Sequence, residues 1–336
     1  MKICLEYVWI GGNQELRSKT KVVDYSDSIN YMIEWNFDGS STGQADGKES
    51  EIILKPVKII NDPIRKNGKI ILCETYFPNG IVHPTNNRVL ANQIFMRGLK
   101  EKPWFGLEQE YFMIDNITGN PLGFVNNLVT NPQGQYYCSI GAGNAFGRNI
   151  AEEHLQACIE SGIKISGINS EVAPGQWEFQ IGPCEGIEEG DDLWLARYLL
   201  IIIAEKYNIS INFEPKPLKG NWNGSGCHAN FSTEKMRDGT TEHNGLYYID
   251  EAITKLSKKH KEHMEVYGTG NEERMSGKLE TSSFHNFTDG IANRGCSIRR
   301  GNETFKNGKG YFEDRRPSSN CDPYLVTSKI FETCCL

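Results

Sequence analysis

The stretch Trp104-Phe105-Gly106-Leu107-Glu108-Gln109-Glu110-Tyr111-Phe112 alternates with the period of a β-strand, and the alternation puts Glu108 and Glu110 on one face. Two carboxylates about 7 Å apart on a sheet repel each other unless water or a cation lies between them. Two further segments repeat the theme. In Asn169 to Gln180, the residues Gln176, Glu178 and Gln180 share a face, with Glu171 just before the turn. In Tyr311-Phe312-Glu313-Asp314-Arg315, an aromatic ring, a carboxylate and a guanidinium line up as Tyr311, Glu313 and Arg315. One Glu-x-Glu on a strand is ordinarily a solvated sheet face. Three aromatic-flanked acidic strands in one chain point instead to a sheet face that gathers carboxylates for a ligand.

Oxygen-loving divalent cations such as Mg²⁺ or Mn²⁺ take several carboxylates, at most one or two imidazoles, and water. His228, in Asn221-Trp222-Asn223-Gly224-Ser225-Gly226-Cys227-His228-Ala229-Asn230-Phe231-Ser232, supplies an imidazole, with Asn230 and Ser232 on its own strand face. The last quarter of the chain adds Arg274, Arg294, Arg299 and Arg315 in polar or glycine-rich contexts. Arginine suits bidentate recognition of phosphate or carboxylate. No Walker A or GxGxxG pattern occurs, so nucleotide phosphates would fall to metals and arginines. Metal ligands with clustered arginines suggest phosphoryl transfer from a nucleoside triphosphate, with the acceptor left open.

Composition excludes other classes. The 336 residues hold 36 Lys and Arg against 43 Asp and Glu, a net charge of −7 that disfavours a nucleic-acid surface. Mean hydropathy is −0.50. The longest apolar stretch, Leu193 to Ala204, is too short to span a bilayer and contains Arg197. Glu6 stands where a signal peptide needs apolar residues, so the expected location is cytoplasmic, with the ten cysteines reduced. Cys334 and Cys335 are expected to be exposed.

The first eighty residues read as strands and turns, including an exposed strand over Leu16 to Val23. A turn at His83-Pro84-Thr85-Asn86 precedes a helical pattern from Arg88 to Lys100 and marks a boundary between residues 1–82 and 83–336. Ile150 to Glu160 reads as a helix closed by Gly162, followed by a strand over Ile163 to Ile168. Asp191 and Asp192 are expected to cap a helix running through Ile203, and Leu246 to Tyr267 forms another helical pattern. The alternation fits an α+β fold whose sheet carries the site.

At these residues the sequence resembles eukaryotic-type glutamine synthetase. The matching segments are Glu34 to Thr42, Trp104 to Tyr111, Gln176 to Gly186, Asn221 to Ser232 and Gly310 to Pro323, in collinear order over almost the whole chain. The resemblance implies a small β-grasp N-terminal domain, then a larger catalytic domain with an antiparallel sheet and surrounding helices. It also implies a homo-oligomer of two stacked pentameric rings, a decamer with its sites at subunit boundaries. The implied reaction joins L-glutamate and ammonium at the expense of ATP, through a γ-glutamyl phosphate. Two or three Mg²⁺ or Mn²⁺ ions per site are implied, one on Glu110, Glu171 and Glu178 and another on Glu108, His228 and Glu313. Glutamate would be held by Asn221, Trp222, Gly224, Arg274, Arg294 and Arg315. ATP would meet Trp104, Glu108, Glu178, Phe179, Gln180, Ile181, Gly182, Pro183, Asn230, Phe231, Ser232, Arg237, Arg294, Arg299, Tyr311 and Glu313. The implied catalytic residues are Asp38 from the neighbouring subunit, Glu280 on a flap, and Arg294.

The flap departs from the family's Gly-Phe-His-Glu-Thr: here it reads Gly277-Lys278-Leu279-Glu280-Thr281, and the usual Asn-Asp-Phe reads His285-Asn286-Phe287. A ligase for another amine would be expected to lose Asp38 and Glu280, and a non-catalytic ring protein to lose metal ligands. All of these residues are present.

Overall fold

A computed structural model describes residues 1–26, 30–124 and 133–336. Strands β1 (Lys2–Ile10), β2 (Leu16–Asp24), β3 (Trp35–Asp38), β4 (Glu51–Asn61) and β5 (Lys69–Tyr76) form a five-stranded sheet in the order β2-β1-β5-β4-β3. The β1–β5 pair is parallel and the others are antiparallel. Alternation decides both faces. Ile3, Leu5, Tyr7 and Trp9 of β1 pack with Phe37, Ile52, Leu54 and Ile71 in a small core of their own. Val8, Ile60, Ile70 and Leu72 point the other way and join the main core. β2 is the exposed edge strand that its mixed apolar and basic sequence anticipates.

The second sheet has eight strands: β6 (Trp104–Asp115), β7 (Ile165–Ser170), β8 (Gln176–Glu185), β9 (Ile209–Asn212), β10 (Cys227–Ser232), β11 (Asp289–Ile291), β12 (Ile298–Arg300) and β13 (Phe312–Asp314). Their order is β11-β12-β13-β10-β6-β8-β7, with β9 also paired to β6. Only β11–β12 is parallel among the pairs described in this sheet. Its apolar face is covered by helices. Those that matter here are α1 (Asn87–Met96), α2 (Arg148–Ser161) and α3 (Glu188–Glu205) before the long central loops, and the C-terminal Pro323–Cys335 helix. The fold is therefore mixed α/β, with two separate sheets.

Local expectations held with adjustments. Gly162 closes α2 in the left-handed conformation that a helix end favours. α3 begins at Glu188, one turn before the expected caps. Asp191 ends that first turn and Asp192 follows it, both buried, and they serve as anchors. Arg88 donates to both Asp191 oxygens at 2.8 Å and to Glu74 of β5 at 2.8 Å, while Lys58 of β4 pairs with Asp192 at 2.5 Å. These pairs, with Tyr198 donating to Glu6 at 3.2 Å, tie the small sheet to α3. The pattern from Leu246 breaks at Lys259 into two helices, Gly245–Lys258 and His260–Met264. Cys334 is buried, contrary to expectation, because the C-terminal helix packs on the core instead of trailing into solvent. All ten cysteines are free thiols. No helix among the described residues is long and apolar enough to cross a membrane.

His154 of α2 is fully buried. Its Nε2 donates to the Ala196 carbonyl at 2.9 Å, and its ring meets Phe179 edge-on at 4.9 Å. Burial pushes its pKa down to about 4, so between pH 4 and 6.5 the folded chain binds fewer protons here than the unfolded chain. Stability is therefore lost as the pH falls through that window, by about 2–3 kcal/mol at pH 4.5. Denaturant unfolding of His154→Gln and wild type at pH 7.0 and 4.5 should show the variant gaining that amount relative to wild type on going to pH 4.5, whatever the net change in wild type. A difference between the two proteins that does not change with pH would mean that His154 is not the titrating group.

Candidate active site

Strand register assembles the site. Glu110 of β6 stands directly opposite Glu178 of β8, and Glu108 opposite His228 of β10. Asn230 of β10 faces Glu313 of β13, and Glu313 faces Arg299 of β12. Asn169 of β7 faces Glu178, and Glu171 follows two residues later at the strand's end. Like charges directly opposite each other destabilise a sheet, so this pairing opposes folding on its own terms.

Of these groups all but Asn230 line a polar cavity of about 320 Å³, together with Gln176, Gln180, Asn223, Gly224, Arg274, Arg294 and Arg315. Leu279, Glu280 and Thr281 close one side, and among the described residues Leu279 is the single aliphatic side chain in the lining. Ligand atoms of Glu110, Glu171 and Glu178 lie within 4.8 Å of one another, as do those of Glu108, Glu178 and His228. At that separation two carboxylates repel by about 3 kcal/mol at an effective dielectric near 20. Burial, then repulsion from neighbouring carboxylates, raises Glu171 to about 8 and holds Glu178 well above the ordinary carboxylate range; burial raises Glu110 to about 7. His228 is held well below the ordinary imidazole value by burial and then by Arg315, which leaves a neutral ring able to donate a lone pair.

Local hydrogen bonds aim these side chains. Glu110 accepts from Gly226 N–H at 2.8 Å, Glu171 from Asn169 and Val172 N–H at 3.1 Å each, and Glu108 from Asn230 at 2.8 Å. Gln180 donates to Glu178 and to Asn169, which links β7 and β8 beneath the cluster. Carboxylate oxygens with one neutral imidazole are the donor set of a hard divalent cation, and a cation would relieve the crowding. Glu313 is set slightly apart: it accepts from Arg315 at 2.6 Å and Arg299 at 3.0 Å, with His228 Nδ1 3.5 Å away.

The arginines differ in freedom. Arg274 is buried and donates to the carbonyls of Arg315, Arg316 and Pro317 at 3.0, 2.7 and 3.0 Å. Burial lowers it to about 10, which leaves it cationic at neutral pH. Arg294 lies 3.5 Å from Glu280 and over the Tyr137 ring at 5.6 Å. Leu279 and Glu280 both take left-handed backbone angles, φ 54° and 63°, which costs about 1–2 kcal/mol per residue.

A second cleft of about 450 Å³ opens beside the first, and Glu108 and Gln180 line both. Its walls are largely apolar: Trp104, Phe105, Leu107, Ile181, Pro183, Phe231 and Tyr311, with Asn230, Ser232 and Arg237 as polar groups. Arg237 lies over the Trp104 ring at 4.0 Å and donates to Ser232 Oγ at 2.9 Å. Gly182, at φ 110°, admits no side chain, because a Cβ would come 2.6 Å from the Phe105 carbonyl.

Most residues singled out from sequence thus line one of the two cavities. Phe179 does not: it points from the opposite face of β8 into the core, against Tyr111 and His154. Asn221 is exposed, and Trp222 packs on Phe124 at 5.5 Å, so Asn223 and Gly224 are the residues that face the cavity. Asp38 lies in the small sheet, where its carboxylate accepts from Ser40 N–H, away from both cavities. Tyr137, Asn169, Asn223 and Thr281 line the site without having been singled out. Asn169 was recoverable from its two-residue spacing to Glu171, whereas nothing in the sequence marks Tyr137.

Residues 87–264 match the family model of the glutamine synthetase catalytic domain. A protein of Acanthamoeba polyphaga mimivirus is 54% identical over 98% of this chain and 94% of its own length. A glutamine synthetase cytosolic isozyme of Vitis vinifera is 51% identical over 99% of this chain and 94% of its own length, and a glutamine synthetase of Candida glabrata is 50% identical over 99% and 89%. The chain belongs to the glutamine synthetase family.

The raised carboxylates make a pH prediction. Groups whose folded pKa lies above the unfolded value give stability that is lost as pH rises, here between about 4.5 and 8. In chelator, the melting temperature should fall from pH 5 to pH 8, and Glu178→Gln should flatten that fall. The same variant should show a smaller Mn²⁺-induced rise in melting temperature, with Mn²⁺ affinity about tenfold weaker. Equal Mn²⁺ stabilisation of both proteins would remove Glu178 from the ligand set.

Proposed function

We propose that this chain is an ATP-dependent glutamate–ammonia ligase that forms L-glutamine through a γ-glutamyl phosphate, with release of ADP and phosphate. The observation that carries the reading is the junction of the two cavities. An apolar cleft sized for a nucleobase and sugar runs into a polar cavity rich in carboxylates and arginines, and Glu108 and Gln180 stand at the join.

In this reading the adenosine lies in the cleft along Trp104, Ile181 to Pro183, Phe231, Ser232, Arg237 and Tyr311, which directs the γ-phosphate into the cavity. The glutamate side is formed by Asn221 to Gly224, Arg274, Arg294 and Arg315. Two or three Mg²⁺ or Mn²⁺ ions, held by Glu110, Glu171 and Glu178 and by Glu108, His228 and Glu313, would neutralise phosphate charge. Arg299 and Arg294 stabilise the negative charge that spreads over the transferring phosphoryl group. A glutamate γ-oxygen attacks the γ-phosphorus, the bond to the ADP oxygen breaks, and the γ-carboxylate gains a leaving group.

Ammonium is stable at neutral pH, so a carboxylate must take its proton before nitrogen attacks the acyl carbon and phosphate departs. Asp38 from a neighbouring subunit and Glu280 take that role, and the 277–281 segment excludes water from the acyl phosphate. Support for a boundary site comes from the position of Asp38, which is exposed on the small sheet. The reading therefore includes a β-grasp domain over 1–82, a catalytic domain over 83–336, a decamer of two stacked pentamers and a cytoplasmic location.

Three experiments test it. Purified protein with ATP, glutamate and ammonium should form glutamine and phosphate in equal amounts. Glu280→Ala should slow amidation more than ATP cleavage, so that phosphate exceeds glutamine; a ratio that stays at one while both rates fall would place Glu280 before the second step. Inactive Asp38→Ala and inactive Glu313→Ala proteins, co-assembled, should regain partial activity at boundaries that pair the two intact residues. No recovery in verified mixed assemblies would argue for a site within one chain.

A further inference from the structure

One wall of the polar cavity is built by a stretch that none of the motifs contains. Residues 133–139 are stapled to the strap that carries Glu171. Gly134 N–H donates to the Val172 carbonyl at 2.7 Å, Cys138 N–H to the Ser170 carbonyl at 2.9 Å and Ser139 N–H to the Ser170 hydroxyl at 3.0 Å. That hydroxyl donates in turn to the Tyr136 carbonyl at 2.8 Å. The stretch is therefore fixed relative to the carboxylate cluster.

The facing 220–224 loop carries Asn223 and Gly224 into the cavity but belongs to no strand or helix. It is held largely by side chains. The Lys216 ammonium donates to the carbonyls of Gly220, at 3.3 Å, and Trp222. Gln176 donates to the Gly224 carbonyl at 3.1 Å. The tie between the two stretches is Gln133. Its Nε2 donates to Asn223 Oδ1 at 2.8 Å, and its Oε1 accepts from Asn223 N–H at 2.8 Å. A single carbonyl contact leaves a loop free to pivot. Two opposed hydrogen bonds from one planar amide fix both the backbone and the side-chain direction of the residue they grip.

We propose that Gln133 is a positioning residue for the amino-acid side of the site: its paired hydrogen bonds to Asn223 lock the 220–224 loop to the strap that carries Glu171. Loop and cluster then keep one spacing before any ligand arrives, and binding need not supply the ordering of the loop. The inference deepens the function proposed above and rests on its assignment of this loop to glutamate. The apolar cleft shares no residue with the tether, so the nucleotide side is unaffected.

The test compares Gln133→Met, which keeps length and removes both hydrogen bonds, with Gln133→Glu. The Glu variant keeps both contacts once the Asn223 amide turns over. In the full-length protein, Gln133→Met should raise the KM for glutamate about tenfold and leave the KM for ATP within twofold, while Gln133→Glu stays near wild type. Combining Gln133→Met with Asn223→Ala should be no worse than the poorer single variant, because Gln133→Met already removes the side-chain bond that Asn223→Ala removes. Hydrogen exchange of the 220–224 amides should quicken in Gln133→Met, with β6 and β8 unchanged. An unchanged KM for glutamate, a parallel rise in both KM values, or additive single variants would overturn the proposal. If Gln133→Met does not fold, Asn223→Ala removes the Oδ1 half of the tether and leaves the backbone N–H bond, and must quicken exchange of the same amides to a smaller degree. Failure of wild-type protein to form glutamine would sink the function reading, and the exchange measurement would still decide whether Gln133 holds the loop.

Discussion

Glu110 and Glu178 face each other across two paired strands, with Glu171 within 4.8 Å, and most of the molecule is arranged to hold that unfavourable contact. Burying carboxylates costs several kcal/mol per ion even after relaxation, and mutual repulsion adds to it. The apolar underside of the β6–β8 pair offsets the cost: Leu107, Trp177, Phe179 and Ile181 are buried beneath the acidic face. The scaffold crowds carboxylates into one site, where burial and repulsion raise their pKa values and where a divalent cation would relieve the same repulsion.

A second polar network fixes the sheet from behind. Arg197 of α3 is buried and donates to Gln109 Oε1 at 2.8 and 2.6 Å, and to the carbonyls of Ser319 and Cys321 at 3.0 and 2.9 Å. Gln109 in turn donates to the Ser319 hydroxyl at 2.8 Å, and that hydroxyl donates to the Glu110 carbonyl at 2.6 Å. Gln109 sits between the two acidic residues of β6 and points the opposite way, so the strand's pleat turns one residue toward scaffold and its neighbours toward chemistry. Asp314 and Arg316, both fully buried and joined by charge-assisted hydrogen bonds at 2.8 and 2.6 Å, do the same beside Glu313 and Arg315. Alternation thus sorts each strand into a structural and a functional set.

Much of this was legible in the chain. The period-two spacing of Glu108 and Glu110, and of Gln176, Glu178 and Gln180, reports a shared face because side chains on a strand alternate whatever the strand pairs with. The same rule explains Phe179, whose side chain enters the core although its neighbours Glu178 and Gln180 face the cavity, because alternate residues of a strand face opposite sides. Cys334 was misjudged, since nearness to a chain end says nothing about whether the end docks. The start of α3 was placed late because Asp191 and Asp192 look like caps, and only their distant partners Arg88 and Lys58 show them to be anchors.

The sequence by itself determined which residues share a strand face, where arginines and carboxylates concentrate and, through its collinear motifs, the family. Those are properties of spacing and residue type, and they survive without any knowledge of pairing. The tertiary structure alone decided which strands pair and in what register. It set Glu110 against Glu178, brought Glu313 and Arg299 within 3.0 Å, and closed Gln133 on Asn223 across 90 residues of chain. Register depends on long-range packing of the buried face, and no local pattern encodes it.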